Sequence, residues 1–358
     1  MKKSYLALVL LGAFAGLTQV AQAQSNITIY GSFDGGLRNL TNVDRDGNDL
    51  LKLNSNGTYN NNRLGFRGFE DLGGGLNAHF TLEAGFNSGN GASFDSTRLF
   101  NSQAFVGLTG QAGTLDLGRQ YSINFKTINL YDPFNYKYPG ILPSSTQGNS
   151  TVITNVPGEQ LHTLNRLDND LQYSFKYRDF TARAEWAFGE QAGHNRNGST
   201  QGAGIAYEGE LFNVAAAYSQ QKRLVGVASS VSSYEDMRNW TAGGALKFDK
   251  VRLSAGYADL KQDYFAGIAD NRVKDAWAGI SFDASPATNL TAGYYHTKYD
   301  LHGADGKRGL IMLGATYSLS KRTNLYAEVD TAKLDDVARG EAGQGRQTGF
   351  SIGINTFF

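Results

Sequence analysis

The chain contains no cysteine and only five prolines in 358 residues. Without cysteine there is no disulfide framework and no thiolate metal site. Past residue 23 there is no long uncharged apolar run, and mean hydropathy is −0.37, which excludes a helical membrane span. Charge of one sign is also missing. The formal net charge is zero, so the chain lacks the electrostatic footprint of a nucleic-acid binder. A soluble chain of this length would be expected to bury a large continuous apolar core, yet the apolar residues here are dispersed.

What the chain does have is glycine and aromatics, 44 Gly, 19 Tyr and 21 Phe, together with a two-residue rhythm. At the C-terminus Gly349, Ser351, Gly353 and Asn355 fall on one parity, and Phe350, Ile352, Ile354 and Phe358 on the other. Successive side chains of a strand point to opposite faces, so such a segment has one apolar and one small or polar face. The same period recurs along most of the chain. It suits a closed sheet with lipid outside and water inside.

The N-terminus is consistent with export. Lys2 and Lys3 precede the apolar run Tyr5 to Leu17, and Ala21-Gln22-Ala23 supplies small residues at a cleavage point. This order predicts a signal peptide over residues 1–23 and a mature barrel domain over 24–358. The run is too short for a membrane anchor.

Sixteen alternating runs are read from Asn26–Leu40 to Gln347–Phe358, separated by turn signals. Tight connections such as 71–75, 208–210, 248–250 and 283–286 alternate with longer polar loops such as 41–61, 189–201, 222–237 and 331–346. Short turns at one end and long loops at the other are the asymmetry of a bacterial outer-membrane barrel. The predicted fold is therefore all-β, a 16-stranded antiparallel transmembrane β-barrel.

One connection is unlike the rest. The stretch 122–165 lacks alternation and holds four of the five prolines, with Phe125, Tyr131, Phe134, Tyr136 and Tyr138 among them. A connection this long is usually functional or disordered, and its aromatics argue for packing. A barrel of sixteen strands is wide enough to hold it. An inward-folded third external loop acting as a constriction is predicted, with an external lid or adhesive loop as the alternative.

Specific motifs carry a resemblance. Arg63-Leu64-Gly65-Phe66-Arg67-Gly68-Phe69-Glu70-Asp71-Leu72-Gly73-Gly74-Gly75-Leu76 resembles the second hairpin of Gram-negative general porins of the beta-proteobacterial type. Gln103 to Leu108 and Gly113 to Gln120 resemble the strands before that family's constriction loop, and Arg166 to Tyr173 the strand after it. Phe358 resembles the terminal aromatic read by the outer-membrane assembly machinery. The resemblance covers the whole mature chain. It implies a homotrimeric outer-membrane diffusion pore for small hydrophilic solutes and ions, embedded in lipid and lipopolysaccharide.

Parity assigns the faces. A charge on the lipid face at the midplane costs about 2–4 kcal/mol, so Arg63 and Arg67 belong inside, opposite Leu64 and Phe66. By the same count Glu83, Asp116 and Arg166 face inward, and Arg98 stands just before a strand. These side chains are predicted to line the pore, with Asp132 and Glu159 on the loop facing the arginines. Charges in a narrow wet passage act on every permeating ion, and the arginine cluster predicts a mild anion preference.

Other chemistry is weakly represented. Asp44, Asp46 and Asn48 have the opening spacing of a calcium loop, but the glycine and distal glutamate are missing. The histidines (His79, His162, His194, His296, His302) lack metal-ligand spacing, and no serine sits in a nucleophile elbow. No cofactor, metal or catalytic residue is assigned. The competing readings are a barrel enzyme (protease or lipase), which needs a Ser/His or Asp/His constellation at the loop rim, and an adhesin or receptor barrel with a plugged lumen.

Overall fold

A computed structural model describes residues 26–54, 58–139, 141–142, 165–222, 234–264 and 269–358. The predicted signal peptide and Glu159 lie outside these residues. Strands β1 (Asn26–Leu40), β2 (Leu50–Asn54), β3 (Arg63–Gly73), β4 (Leu76–Gly85), β5 (Gln103–Gly110) and β6 (Gly113–Tyr121) precede one short helix, α1 (Ile123–Ile128). There follow β7 (Arg166–Tyr177), β8 (Phe180–Ala187), β9 (Thr200–Glu208), β10 (Phe212–Lys222), β11 (Tyr234–Phe248) and β12 (Val251–Tyr264). The last strands are β13 (Asn271–Ser285), β14 (Thr288–Leu301), β15 (Ala304–Ser318), β16 (Thr323–Asp336) and β17 (Arg346–Phe357). Among the described residues no helix is long and apolar enough to cross a membrane.

Beyond β3, sequential strands pair antiparallel, and β1 pairs with β17 from Ser32↔Phe357 to Leu40↔Gly349, closing the sheet. The other edge of β1 is shared. β3 pairs with its first half (Asn26↔Phe69 to Ser32↔Arg63), and β2 with its second (Leu40↔Leu50 to Gly36↔Asn54). Sixteen strands therefore make the circumference, and β2 is an extra ribbon in a stretch expected to be loop. Its five residues are too few to show a period. Closure removes every free edge, which is what lets a sheet stand in lipid with its backbone groups satisfied.

Several strands run longer than their alternation suggests; β13 spans Asn271–Ser285 where the pattern marked Lys274–Phe282. Beyond the apolar band the backbone ladder continues, but both faces are wet and the sequence signal fades. At the short-turn end Gly73, Gly74 and Gly75 take φ of 83°, 61° and 80°, conformations that other residues adopt only with strain. At the loop end one connection is tight, with His302 and Gly303 between β14 and β15.

The outer face is apolar and exposed. On β15, Ile311 and Leu313 are each 51% exposed, while Leu310 and Met312, which alternate with them, are fully buried. That inner burial departs from a uniformly wet lumen. Ala206, Ala215, Ala258, Trp277, Tyr295, Leu310, Met312 and Tyr326 pack with Ile128, Tyr131, Phe134, Tyr138, Ile141 and Leu142. The polar wall is interrupted there by a dry core.

Ion pairs reinforce the seam. Arg38 on β1 reaches across β17 to Glu328 (3.1 Å) and Asp330 (2.7 Å) on β16, and also donates to Ser351 Oγ at 2.9 Å. All four side chains are buried. Removing one partner of a buried ion pair typically costs about 3–5 kcal/mol, because the other charge stays uncompensated. Arg38→Ala is expected to lower barrel stability by about that amount, measured by urea unfolding in phospholipid vesicles. Replacing exposed Arg322 should change little.

Candidate functional site

The site is built where residues 122–142 meet the inner wall. Ser122 starts the helix, its Oγ accepting from Phe125 N at 3.3 Å. Glu185 Oε2 accepts from Ile123 N at 2.8 Å, and Asn124 Nδ2 donates to Asn239 O at 3.1 Å. Lys126 Nζ donates to Gln172 Oε1, and burial pushes its ammonium pKa down. α1 is thus held against β7, β8 and β11.

Past the helix the chain lies along a row of glycines. A Cβ on Gly243 would stand 2.4 Å from the Tyr131 ring, and one on Gly256 2.7 Å from it. On Gly279 it would meet Pro133 at 2.5 Å, and on Gly293 and Gly314 the Phe134 ring at 2.9 and 3.1 Å. Gly243 pairs with Gly256, and Gly279 with Gly293, so the row crosses five neighbouring strands. Glycine inside a strand forfeits packing and marks a place where something approaches closely. Here it makes a trough for aromatic rings.

Polar bonds fix the segment in the trough. Arg252 donates to the carbonyls of Asp132 (3.1 Å) and Leu130 (2.8 Å), and Asn213 Nδ2 also donates to Leu130 O (3.0 Å). Arg308 donates to Ile141 O at 2.7 Å. Tyr131 Oη and Thr241 Oγ1 lie 2.6 Å apart. Asp132 accepts from the backbone N–H of Phe134 (3.1 Å) and Tyr136 (2.9 Å) and from Tyr295 Oη (2.8 Å). Burial pushes the Asp132 carboxyl up to about 6. The native segment therefore retains a proton that the unfolded chain would lose. This contribution to stability is complete below about pH 4 and disappears as pH rises through about 6.

The predicted charges fall into separate groups. Arg63, Arg67 and Glu83 converge around Tyr30: Arg63 lies 4.0 Å from Glu83, Tyr30 Oη donates to Glu83 at 3.0 Å, and the Arg67 guanidinium stacks 4.4 Å from the Tyr30 ring. Asp116 meets His79 Nε2 at 2.7 Å. Arg98 binds Asp95 (2.6 Å) and Asp168 (3.2 Å), and Arg119 takes the other oxygen of Asp168 at 2.6 Å. Arg166 lies over the Tyr121 ring at 4.5 Å and donates to its hydroxyl at 2.8 Å.

Two placements differ from a simple parity count. β6 and β7 slip register between Gly118 and Gln120, with Asn169 at φ 54°, so Gln120 pairs with Leu167 and Tyr121 with Arg166. The bulge inserts one residue, and Arg166 and Asp168 lose the parity of Asp170 and Gln172. Asp132 is wholly buried with both carboxylate oxygens engaged, so it does not confront the early-strand arginines.

Sequence reasoning missed Arg252, Arg308 and Lys137. Arg252 and Arg308 are bonded to neutral carbonyls, so their positive charge is not cancelled by those contacts. Lys137 Nζ sits over the rings of Tyr59 (5.2 Å) and Phe357 (5.4 Å), and burial pushes its ammonium down to about 8. The mid-strand glycines were a readable signal that a second layer of chain approaches this wall. Among the described residues no cluster of His, Asp and Glu could hold a metal ion.

A branched side chain at Gly279 should lift Pro133 off the wall, and Arg252→Ala should release two carbonyls. Each variant is expected to raise single-channel current noise by several-fold, while Arg322→Ala at the short-turn end leaves it unchanged. Planar-bilayer recordings make the comparison.

A protein-family model described as Gram-negative porin matches residues 7–337. An outer membrane porin protein of Bordetella pertussis is 33% identical, covering 93% of this chain and 94% of that protein. Outer membrane porin protein 32 of Delftia acidovorans is 29% identical over the full length of both chains. The solved structure of an anion-selective porin from Comamonas acidovorans superposes with a TM-score of 0.77 at 27% identity, covering 94% of this chain and all of that one. With its closed sixteen-strand wall and apolar outer face, the chain belongs to the Gram-negative porins, non-enzymatic channels of the outer membrane.

Proposed function

We propose that the bore of this passive diffusion channel is narrowed by residues 122–142, that small anions pass more readily than cations, and that three copies assemble in the lipopolysaccharide-bearing membrane. One observation carries the selectivity. Arg252 and Arg308 hold the segment through backbone carbonyls, and Lys137 has no carboxylate within ion-pair distance among the described residues. Basic groups that anchor chain in this way keep their field available to a passing ion. Arg63 and Arg67 add to that field near Tyr30; Arg98, bonded to Asp95 and Asp168, and Arg166, off the lumen parity, contribute little. Glu83 and Asp116 temper it, as would Glu159. The anion-selective relative supports the sign, and the trimer rests on the family resemblance.

Reversal potential across a salt gradient tests the reading. The native channel should prefer chloride at pH 7. The preference should decline as pH rises through about 8, where Lys137 loses its proton. Arg63→Ala or Arg67→Ala should reduce it at every pH. Cation selectivity at pH 7 would contradict the proposal.

A further inference from the structure

Beside the docked segment lies a cavity of about 230 Å³ that the diffusion reading does not use. One wall is aromatic, formed by Tyr59, Phe134 and Tyr138. Polar lining comes from Ser281, Asn289 and Thr291 at the short-turn end of β13 and β14. Lys137 lines it as well. The volume is ample for a single six-membered ring with one or two substituents.

The chemistry of this lining is complementary to a particular kind of solute. Among the described residues no oxygen accepts from the Lys137 ammonium; it meets only the π-faces of Tyr59 and Phe357. Its nearest carboxylate influence is Asp34, which is buried and accepts from the backbone N–H of Tyr59 (3.0 Å) and Asn60 (3.2 Å). An ammonium carries three donors, so this one is free to bind an anion. Tyr59 already stacks on Tyr326 at 4.9 Å and carries the Lys137 ammonium at 5.2 Å, so a planar solute would pack on Phe134 and Tyr138 instead. Ser281, Asn289 and Thr291 bond one another at 2.9–3.2 Å and Asn289 also donates to Asp283 at 2.8 Å, so Asn289 is saturated while the Ser281 and Thr291 hydroxyls each keep a lone pair for another donor.

We propose that this cavity is a solute subsite for hydroxylated ring carboxylates, with the carboxylate at Lys137, the ring against Phe134 and Tyr138, and the hydroxyl donating to Ser281 or Thr291. The inference rests on the proposed narrowed bore and goes beyond it, because a mere field would treat all monovalent anions of similar size alike. A subsite distinguishes them by shape.

The test uses the full mature barrel in planar bilayers carrying chloride current. The probe is 4-hydroxybenzoate, compared with lactate (same charge, no ring) and 4-hydroxybenzamide (same ring, no charge). 4-Hydroxybenzoate should depress the current saturably, with a half-effect concentration at least about tenfold below that of either control. Lys137→Met, or Lys137→Gln if the first variant does not fold, should raise that concentration about tenfold or more. Ligand-detected NMR on the unmodified barrel gives a reading independent of any variant and should show 4-hydroxybenzoate, not the benzamide, bound. Equal effects of 4-hydroxybenzoate and lactate, or an effect unchanged without the lysine, would overturn the subsite and leave the channel standing. A folded barrel that passes no current would overturn the channel itself.

Discussion

A strand that crosses lipid can leave no backbone N–H or C=O unpaired, and this constraint organises the molecule. It demands a closed sheet, which the β1–β17 ladder supplies from Ser32 to Leu40. Closure then sorts the side chains. Ile311 and Leu313 can be greasy because hydrocarbon bathes them, and Arg63, Arg67 and Asp116 can be charged because the other face is wet. The buried Arg38–Glu328–Asp330 group locks the same seam from the inner side. Its geometry depends on the first strand pairing with the last two, from opposite ends of the chain.

The inner wall is not uniform. Toward β3 and β4 it carries charge and water-accessible groups around Tyr30. Toward β11–β15 a row of glycines crosses it, and the aromatic segment 131–138 fills the space the missing side chains leave. The two halves serve each other. Packing rings against backbone gives an apolar foundation, and the arginines at its margins bond loop carbonyls. Charge-assisted bonds of this type are worth about 1.5–3 kcal/mol each, enough to hold a segment whose own helix is only six residues long. The same arrangement leaves Lys137 beside aromatic rings with no acid bonded to it.

Much of the barrel was legible in the residues. β1 emerged with its full span, Asn26–Leu40, because Ile27, Ile29, Phe33 and Leu37 fall on one parity and Thr28, Ser32, Asp34 and Arg38 on the other. The strand count around the circumference was legible for the same reason. Three things were not. β2 is short and lies above the apolar band, where no period marks a face. The bulge at Asn169 depends on a left-handed backbone that asparagine tolerates but does not announce, so Arg166 and Asp168 lost the parity of the rest of β7. Leu310 and Met312 look like half of a continuous apolar run with Ile311 and Leu313. Only the docked segment explains why an inner face should be oily. The charges near Tyr30 could be grouped from parity, whereas Arg252 and Arg308 act through loop carbonyls that no local pattern reveals.

The account depends on one face of each strand meeting lipid and the other meeting water. Since the chain has no native thiol, single cysteines can be placed in turn at residues 63–69 and 77–82 and probed in vesicles. Positions 63, 67, 77, 79 and 81 should react with a charged, membrane-impermeant thiol reagent. Fluorophores at 64, 66, 78, 80 and 82 should instead be quenched from within the acyl chains. A two-residue alternation between these behaviours is the predicted result. Uniform access from water, or uniform protection at every position, would contradict it.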